Sequence, residues 1–364
     1  MKLKKKLQKI FKIFFQKFFL LVYGKVLFKK DYNFLKDNNL NRKNKVVIDN
    51  CEYSCFTITN GRIYTDLVES VATISDNNLI VGAGFQKING ILKSEIDNVC
   101  LRKGTPRIKI KKTGTLLALI QDASENNYSH WLLDILPRLR IIEENNLIES
   151  IDYFLLPELK YSFQHETLKL LKIPTKKILS NRKNRHIEAK TLIVTDHPWY
   201  KKGHVQDEMI NVPEWIILWL RKKFLTSEVH KNINNKIYID RSDSQFNHCK
   251  IINSEEVWRF LEKRGFKKLR LSEIGFSEQV SLFSTADVII GAHGAGLSNI
   301  IFSRPETKII EIQPNNHINQ FFTHVSKINK LNYKSVISKD LKLIKDYNHG
   351  DIFVNLDDIN KLLI

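Results

Sequence analysis

The run Asn127-Tyr-Ser-His130-Trp-Leu-Leu-Asp134-Ile-Leu-Pro137-Arg138 sets an imidazole and a carboxylate four residues apart, with a guanidinium four residues further on. On a helix these side chains share one face. A carboxylate beside a histidine fixes its tautomer and stabilises the imidazolium, which is what a general base needs when it takes a proton from a hydroxyl. His130 and Asp134 are therefore candidates for acid–base work, in one run with Asn127 and with Arg138, which joins their face four residues later. A surface or helix-capping pair has the same pattern, and the residues alone leave both readings open.

A second run could hold an anion. Asp287-Val-Ile-Ile-Gly-Ala-His-Gly-Ala-Gly-Leu-Ser-Asn299 reads as a buried strand that enters Gly291, His293, Gly294 and Gly296 and then opens a short helix. Glycines let backbone N–H groups approach a ligand, and a helix start adds partial positive charge, so phosphate or diphosphate is the ligand class served. The G-x-G-x-x-G spacing is absent and no Gly-Lys-Ser/Thr follows, so this is neither a dinucleotide fingerprint nor a Walker loop. Arg241, directly after the strand-like Lys236–Asp240, could meet a diphosphate with two hydrogen bonds. Glu311, near the end of another strand-like run, could accept the hydroxyls of a ribose. Asn253 and Glu256 have the spacing of a capping box. Cys51 and Cys55 lack a second Cys or His pair at zinc spacing, and no paired-aspartate metal motif stands at a strand end.

The elements that must carry these groups are legible in outline. The chain has 364 residues, 43% of them hydrophobic, which excludes a disordered chain and suggests two domains. Residues 31–45 read as a linker. Residues 46–120 alternate short β-prone runs with Asn60-Gly61 and Asn89-Gly90, which predict tight turns. Beyond them, strand and helix patterns alternate, which predicts a mainly parallel sheet with helices on both faces. The spacing predicts a helix from Pro213 to Leu225 and a boundary at 225–235.

More than half of the net charge of +19 lies in residues 1–30, which hold ten lysines and no acid. Lys5, Lys9, Lys12 and Gln16 form one helical stripe, opposite Leu7, Ile10, Phe11, Phe14, Phe15, Phe18, Leu21 and Val22. Docking on an anionic membrane surface, packing on the protein's own core and a degenerate signal anchor all fit this pattern. With the charge concentrated there, the body is only moderately basic, and nucleic acid is not an expected partner.

Taken together, the motifs resemble one family. Asn127-Tyr128-x-His130-x3-Asp134, Asp240-Arg241, Asn253-x2-Glu256, Glu278-Gln279, Gly291-x-His293-Gly294-Ala295-Gly296-Leu297-x-Asn299 and Glu311-x2-Pro314 follow in the order seen in the glycosyltransferases of family 61, the capsular-polysaccharide-biosynthesis type. The resemblance covers residues 115–320. It implies an α/β chain of the GT-B type, two Rossmann-like domains with a cleft between them, preceded here by the basic amphipathic N-terminal helix. It implies inversion at the anomeric carbon, usually with no metal built into the fold and no cofactor beyond the nucleotide-sugar substrate.

Carried over residue by residue, Arg241, Gly291, His293, Gly294, Ala295, Gly296, Leu297 and Asn299 would bind the donor, with Glu311 near the ribose. His130 or Asp134 would be the base, and Asn127 and Arg138 would lie on the acceptor side. The expected division is a membrane-docking segment at 1–30, an acceptor domain at 46–225 and a nucleotide-sugar domain at 235–364. The expected partners are a nucleoside-diphosphate sugar, UDP-sugar first, a glycan or lipid-linked acceptor in capsule or lipopolysaccharide assembly, and the inner face of a bacterial-type cell membrane. A non-catalytic carbohydrate- or nucleotide-binding relative is the alternative.

Overall fold

The computed structural model describes all residues except 1, 30–40, 66–69, 89, 121–122, 226–234, 243–248, 316–318 and 339–350. The chain divides into two compact units, Met1–Lys160 with Ile173–Trp215, and Tyr161–Lys172 with Ile216–Ile364.

The first unit is built on an eleven-stranded sheet: β1 (Asn41–Ile48), β2 (Cys51–Thr59), β3 (Arg62–Thr65), β4 (Ser70–Ser75), β5 (Asn78–Leu79), β6 (Phe85–Ile88), β7 (Ile91–Lys93), β8 (Ile110–Ala118), β9 (Tyr153–Leu156), β10 (Ile178–Ser180) and β11 (His186–Thr195). Strands β10, β9, β8 and β11 lie side by side and parallel. Beyond β11 the sheet continues through antiparallel β2 and β3, so one half is an α/β sheet and the other a set of hairpins.

Two hairpins turn on Asp49-Asn50 and Asp76-Asn77, with φ of 44° and 63°, and 46° and 60°. Positive φ at both central residues defines the turn whose twist matches the strands, and Asn and Asp tolerate that conformation. From Asn41 on, the run read as a linker is strand β1; residues 31–40 lie outside the described ones. Pairing from Asn41↔Ile58 to Ile48↔Cys51 supplies the β order that its polar side chains do not forecast. Phe56, Ile58, Leu116, Ile187 and Leu192 form the core beneath the sheet.

Residues Lys2–Tyr23 are helical. Phe19 is buried and stacks on Tyr23, whose ring meets His186 edge-on and whose hydroxyl accepts from Lys109 N at 3.0 Å. Ile10, Phe11, Phe14, Phe18, Leu21 and Val22 are exposed. The helix is thus anchored on its own unit along one side and bare along another. Among the described residues, no helix is long and apolar enough to cross a membrane.

The second unit is a doubly wound sheet of five parallel strands: β12 (Lys236–Ile239), β13 (Phe266–Leu269), β14 (Val288–Ala292), β15 (Lys308–Gln313) and β16 (Asn332–Ile337), in the order β13-β12-β14-β15-β16. The central strands β14 and β15 are buried almost throughout, which is why they read as continuous apolar runs. Their core includes Tyr238, Val257, Ile290, Ile310 and Ile359. The chain reverses its winding between β12 and β14, and in open α/β sheets ligands bind outside the carboxyl ends of the strands at that point.

The helix Ser162–Leu170 belongs to this unit, with Glu166 accepting from Phe276 N at 2.7 Å. Arg221 donates to the carbonyls of Ile301 and Ser303, each at 2.7 Å. The capping box expected at Asn253 does not form. Its amide is drawn away to the backbone of Val354, accepting at 3.0 Å and donating at 2.9 Å, while a second N–H reaches Glu256.

Candidate functional site

In the first unit the site grows from a helix with a wide turn. Asn127 caps it, accepting from His130 N at 3.2 Å, and Trp131–Ile135 then form a π-turn in which Leu136 N reaches Trp131 O. π-turns of this kind concentrate at functional sites. The segment is apolar on every side and correspondingly buried, so Asp134 has its carboxylate inside the protein, 2% exposed.

A buried carboxylate needs partners. His130 Nδ1 lies 2.9 Å from Oδ2, and Trp199 Nε1 donates to Oδ1 at 2.9 Å. His197 Nε2 is 3.7 Å from Oδ2. Burial alone would favour the neutral acid, but His130 and His197 outweigh it and hold Asp134 well below the usual carboxylate range. Nδ1 of His130 therefore carries a proton toward Asp134, and Nε2 is the basic nitrogen. Asp134 itself, with both oxygens engaged, orients the histidine.

His197 is the member of this cluster that sequence reasoning missed. Its Nδ1 accepts from Trp199 N and Tyr200 N, so a proton sits on Nε2, toward Asp134, and burial lowers its pKa. The signal was available, since Asp196-His197 directly follows strand β11, at the carboxyl edge of the parallel strands. A cavity of about 390 Å3 opens there, lined by Ala118, Ile120, Arg138, Thr195, Asp196 and His197 among others. His130 and Asp134 are not among its lining residues.

Arg138 does not pair with Asp134. It is buried and donates to Thr195 Oγ1, Thr195 O and Ala118 O at 2.9, 3.2 and 3.1 Å, with Ile120 O at 3.5 Å. It ties together the carboxyl ends of β8 and β11, and burial lowers its pKa to about 10.

In the second unit, Arg241 and the Gly291–Asn299 run come together at the switch point, since Ile239 pairs with Gly291 across β12 and β14. Gly294 has φ 149° and ψ 177°, a conformation open to glycine, and a Cβ there would overlap the guanidinium of Arg241. His293, Gly294, Ala295 and Gly296 retain exposure at the start of a 3₁₀ helix, Ala295–Phe302. Leu297 and Asn299 are buried instead. Asn299 donates to Gln279 Oε1 at 2.9 Å and to Gly296 O at 3.1 Å, so it shapes the loop from behind. Asp240 accepts from Ser242 N at 3.0 Å and Arg270 Nε at 3.1 Å, which fixes the turn that carries Arg241.

Glu311 is wholly buried. One oxygen lies 2.5 Å from His293 Nδ1; the other accepts from Tyr333 OH at 2.5 Å and Gln313 Nε2 at 3.3 Å. The carboxylate assigned to a ribose is thus occupied within the protein, where it orients His293. Each unit therefore carries a histidine whose Nδ1 faces a buried carboxylate.

A family model described as Glycosyltransferase 61 matches residues 128–310, just over half of the chain. That span takes in the His130–Asp134 pair, Arg241 and the glycine loop. A β-1,2-xylosyltransferase of Oryza sativa subsp. japonica is 27% identical over 132 residues, covering 32% of this chain and 25% of that protein. A β-1,2-xylosyltransferase of Arabidopsis thaliana is 30% identical over 113 residues, covering 26% and 21%. The chain thus spans about a quarter of the length of these curated relatives. With one matched span taking in the His130–Asp134 pair and the Arg241–Gly294 switch point, the chain belongs to the glycosyltransferase 61 family.

Proposed function

We propose that this protein is an inverting glycosyltransferase of the GT-B type, moving a sugar from a nucleoside-diphosphate donor to a glycan or lipid-linked saccharide in the assembly of surface polysaccharide such as capsule or lipopolysaccharide. The observation that carries this reading is His130, held by Asp134 at 2.9 Å with Nε2 as its basic nitrogen. Nε2 takes the proton of the acceptor hydroxyl while the oxygen bonds to the anomeric carbon from the face opposite the diphosphate. The bond from that carbon to the diphosphate oxygen breaks, and its electron pair leaves with the diphosphate. Arg241, His293 and the backbone N–H groups of the Gly294–Gly296 turn stabilise that anion. On this reading the protein's own cations do the work that a divalent metal does elsewhere.

UDP-sugars are the first donors to test, and the names of the plant relatives put a xylosyl donor at the head of them. The exposed side of the Lys2–Tyr23 helix is proposed to dock on the anionic inner face of the cell membrane.

The test is calorimetric titration of UDP, GDP, CDP and CMP into the full chain, with and without EDTA. One diphosphate is expected to bind and to survive EDTA. Binding only with a metal overturns the account of leaving-group stabilisation, and no binding at all removes the donor site.

A further inference from the structure

The hydrogen bonds behind His293 form a chain that the steps above leave unused. Asn319 N donates to Gln313 Oε1 at 2.8 Å, which turns the Gln313 amide so that Nε2 faces Tyr333 OH at 3.1 Å and Glu311 Oε2 at 3.3 Å. Tyr333 accepts from Gln313 and gives its own proton to Glu311 Oε2 at 2.5 Å. The other carboxylate oxygen is left for Nδ1 of His293, also at 2.5 Å. Burial, and then the charge of Glu311, push the pKa of Tyr333 up, so its hydroxyl stays a donor. The Glu311 side chain has no exposed surface, while that of His293 keeps 12%. The chain thus runs outward from the interior and ends on the one imidazole that still reaches solvent.

This arrangement limits what His293 can do. With the Nδ1 proton committed to Glu311, a neutral ring carries a lone pair on Nε2 and can only accept there. A diphosphate oxygen also accepts, so His293 can donate to it only when Nε2 holds a second proton. Glu311 favours that proton, and Arg241, whose guanidinium lies beside Gly294, opposes it. Asp240, next to Arg241, is turned toward Ser242 and Arg270. Cys249 lies within the fields of both Arg241 and Glu311, and burial pushes its thiol up to about 12, so it adds no charge. The helix Phe321–Ile328 packs against the imidazole through the ring of Phe322 at 5.5 Å, and its titratable side chains are His324 and Lys327. A diphosphate brought to this turn offsets the charge of Arg241, and the balance moves toward the imidazolium.

We propose that His293 takes up a proton from solvent as the donor diphosphate binds and meets it as an imidazolium, and that Tyr333 is the positioning residue for this, because it fixes Glu311 behind the ring. The proposal rests on the transferase reading above and adds to it a residue that lies beyond the span matched by the family model.

Calorimetry of UDP binding to the full chain tests it, in two buffers of different ionisation heat at pH 8, where the terminal phosphate of UDP is already ionised. The difference in heat counts the protons taken up. The parent protein is expected to take up protons, and His293→Gln to lose that uptake. Tyr333→Phe keeps the ring and removes one hydrogen bond, so its UDP affinity should fall up to roughly tenfold relative to the parent at pH 8. At pH 6 solvent supplies the proton more readily, and the gap between variant and parent should close. A merely structural loss would be the same at both pH values, and that result overturns the proposal. So does UDP binding without proton uptake, uptake that persists in His293→Gln, or a Tyr333→Phe protein that binds like the parent. Tyr333→Phe decides the matter where His293→Gln no longer binds UDP. UDP binding without proton uptake sinks this proposal alone, whereas no UDP binding to the parent removes the donor site itself.

Discussion

The guanidinium of Arg241 occupies the space that a side chain at position 294 would need, so the glycine after His293 and the arginine after β12 are fitted to one another. Neither residue explains the other in sequence, where they stand 53 positions apart. Gly294→Ala displaces the guanidinium and forces residue 294 out of a conformation open to glycine. A hydrogen bond to a charged group contributes about 1.5–3 kcal/mol, so UDP affinity should fall on the order of 10- to 100-fold. Calorimetry on a variant whose melting curve shows it folded checks this. Unchanged affinity would remove Arg241 from the donor site.

His130 and Asp134 should fail in the same way but for different reasons. His130→Ala removes the base, and kcat should drop roughly 10²- to 10⁴-fold with little change in KM. Asp134→Asn keeps the volume and removes the charge that fixes Nδ1–H, so kcat should fall within the same range. It should also lower the melting temperature, because the neighbouring His130, His197 and Trp199 lose a charged partner. Steady-state kinetics beside thermal melts separate the two effects. An Asp134→Asn enzyme that keeps full activity would show that His130 needs no orienting carboxylate.

How far the sequence forecasts all this depends on whether a partner is local. The His130–Asp134 pair is four residues apart on one helix, and the run from Val288 to Gly296 is a doubly buried strand that ends in glycines, so both were legible. Trp199 and His197 reach Asp134 from 65 and 63 positions away, across the carboxyl edge of β11, and no periodicity records that. Glu311 was picked out, but its buried partners were not, because His293 follows β14 and Tyr333 stands on β16, on either side of β15. Leu297 and Asn299 fit the motif, yet a 3₁₀ turn points them inward, which spacing alone does not reveal. Likewise, the grouping of Tyr161–Lys172 with the second unit follows from tertiary contacts such as Glu166 with Phe276 N.

His186 makes stability depend on pH. Buried beside Tyr23 and Tyr64, it donates through Nδ1 to Arg107 O at 3.1 Å, and burial lowers its pKa to about 4. An unfolded histidine titrates near ~6.5. Above that pH both states are neutral and the stability is fully present. Between about 6.5 and 4 the unfolded chain binds the proton and the folded one does not, so stability falls with pH by up to roughly 3 kcal/mol. His197, also depressed by burial, acts in the same sense. Thermal melts at pH 7.5 and 5 should show a clear drop, and His186→Gln should reduce it. An equal drop in the variant would assign the acid sensitivity to other groups.

The last prediction concerns the N-terminal helix. Phe11, Phe14 and Phe18 are 63%, 63% and 47% exposed, while Phe19 and Tyr23 hold the helix to its unit. Replacing the three exposed rings by serine keeps Phe19 and Tyr23 in place but removes the edge-on contact of Phe18 with Phe19 at 5.3 Å, so a small drop in melting temperature is expected while the fold is retained. Lys12, Lys17, Lys25 and Lys29 are also exposed, with no acid among the first 30 residues. Each lysine near an anionic surface adds about 1 kcal/mol, so binding should require negative lipid and weaken with salt. The protein should sediment with vesicles of phosphatidylcholine and phosphatidylglycerol at low salt, and not with phosphatidylcholine alone. The Phe11→Ser, Phe14→Ser, Phe18→Ser triple variant should lose most of that binding, because the lysines alone leave the buried apolar area out of the interaction. Equal sedimentation of variant and parent would reduce the attachment to charge, and the absence of sedimentation with anionic vesicles would refute membrane docking altogether.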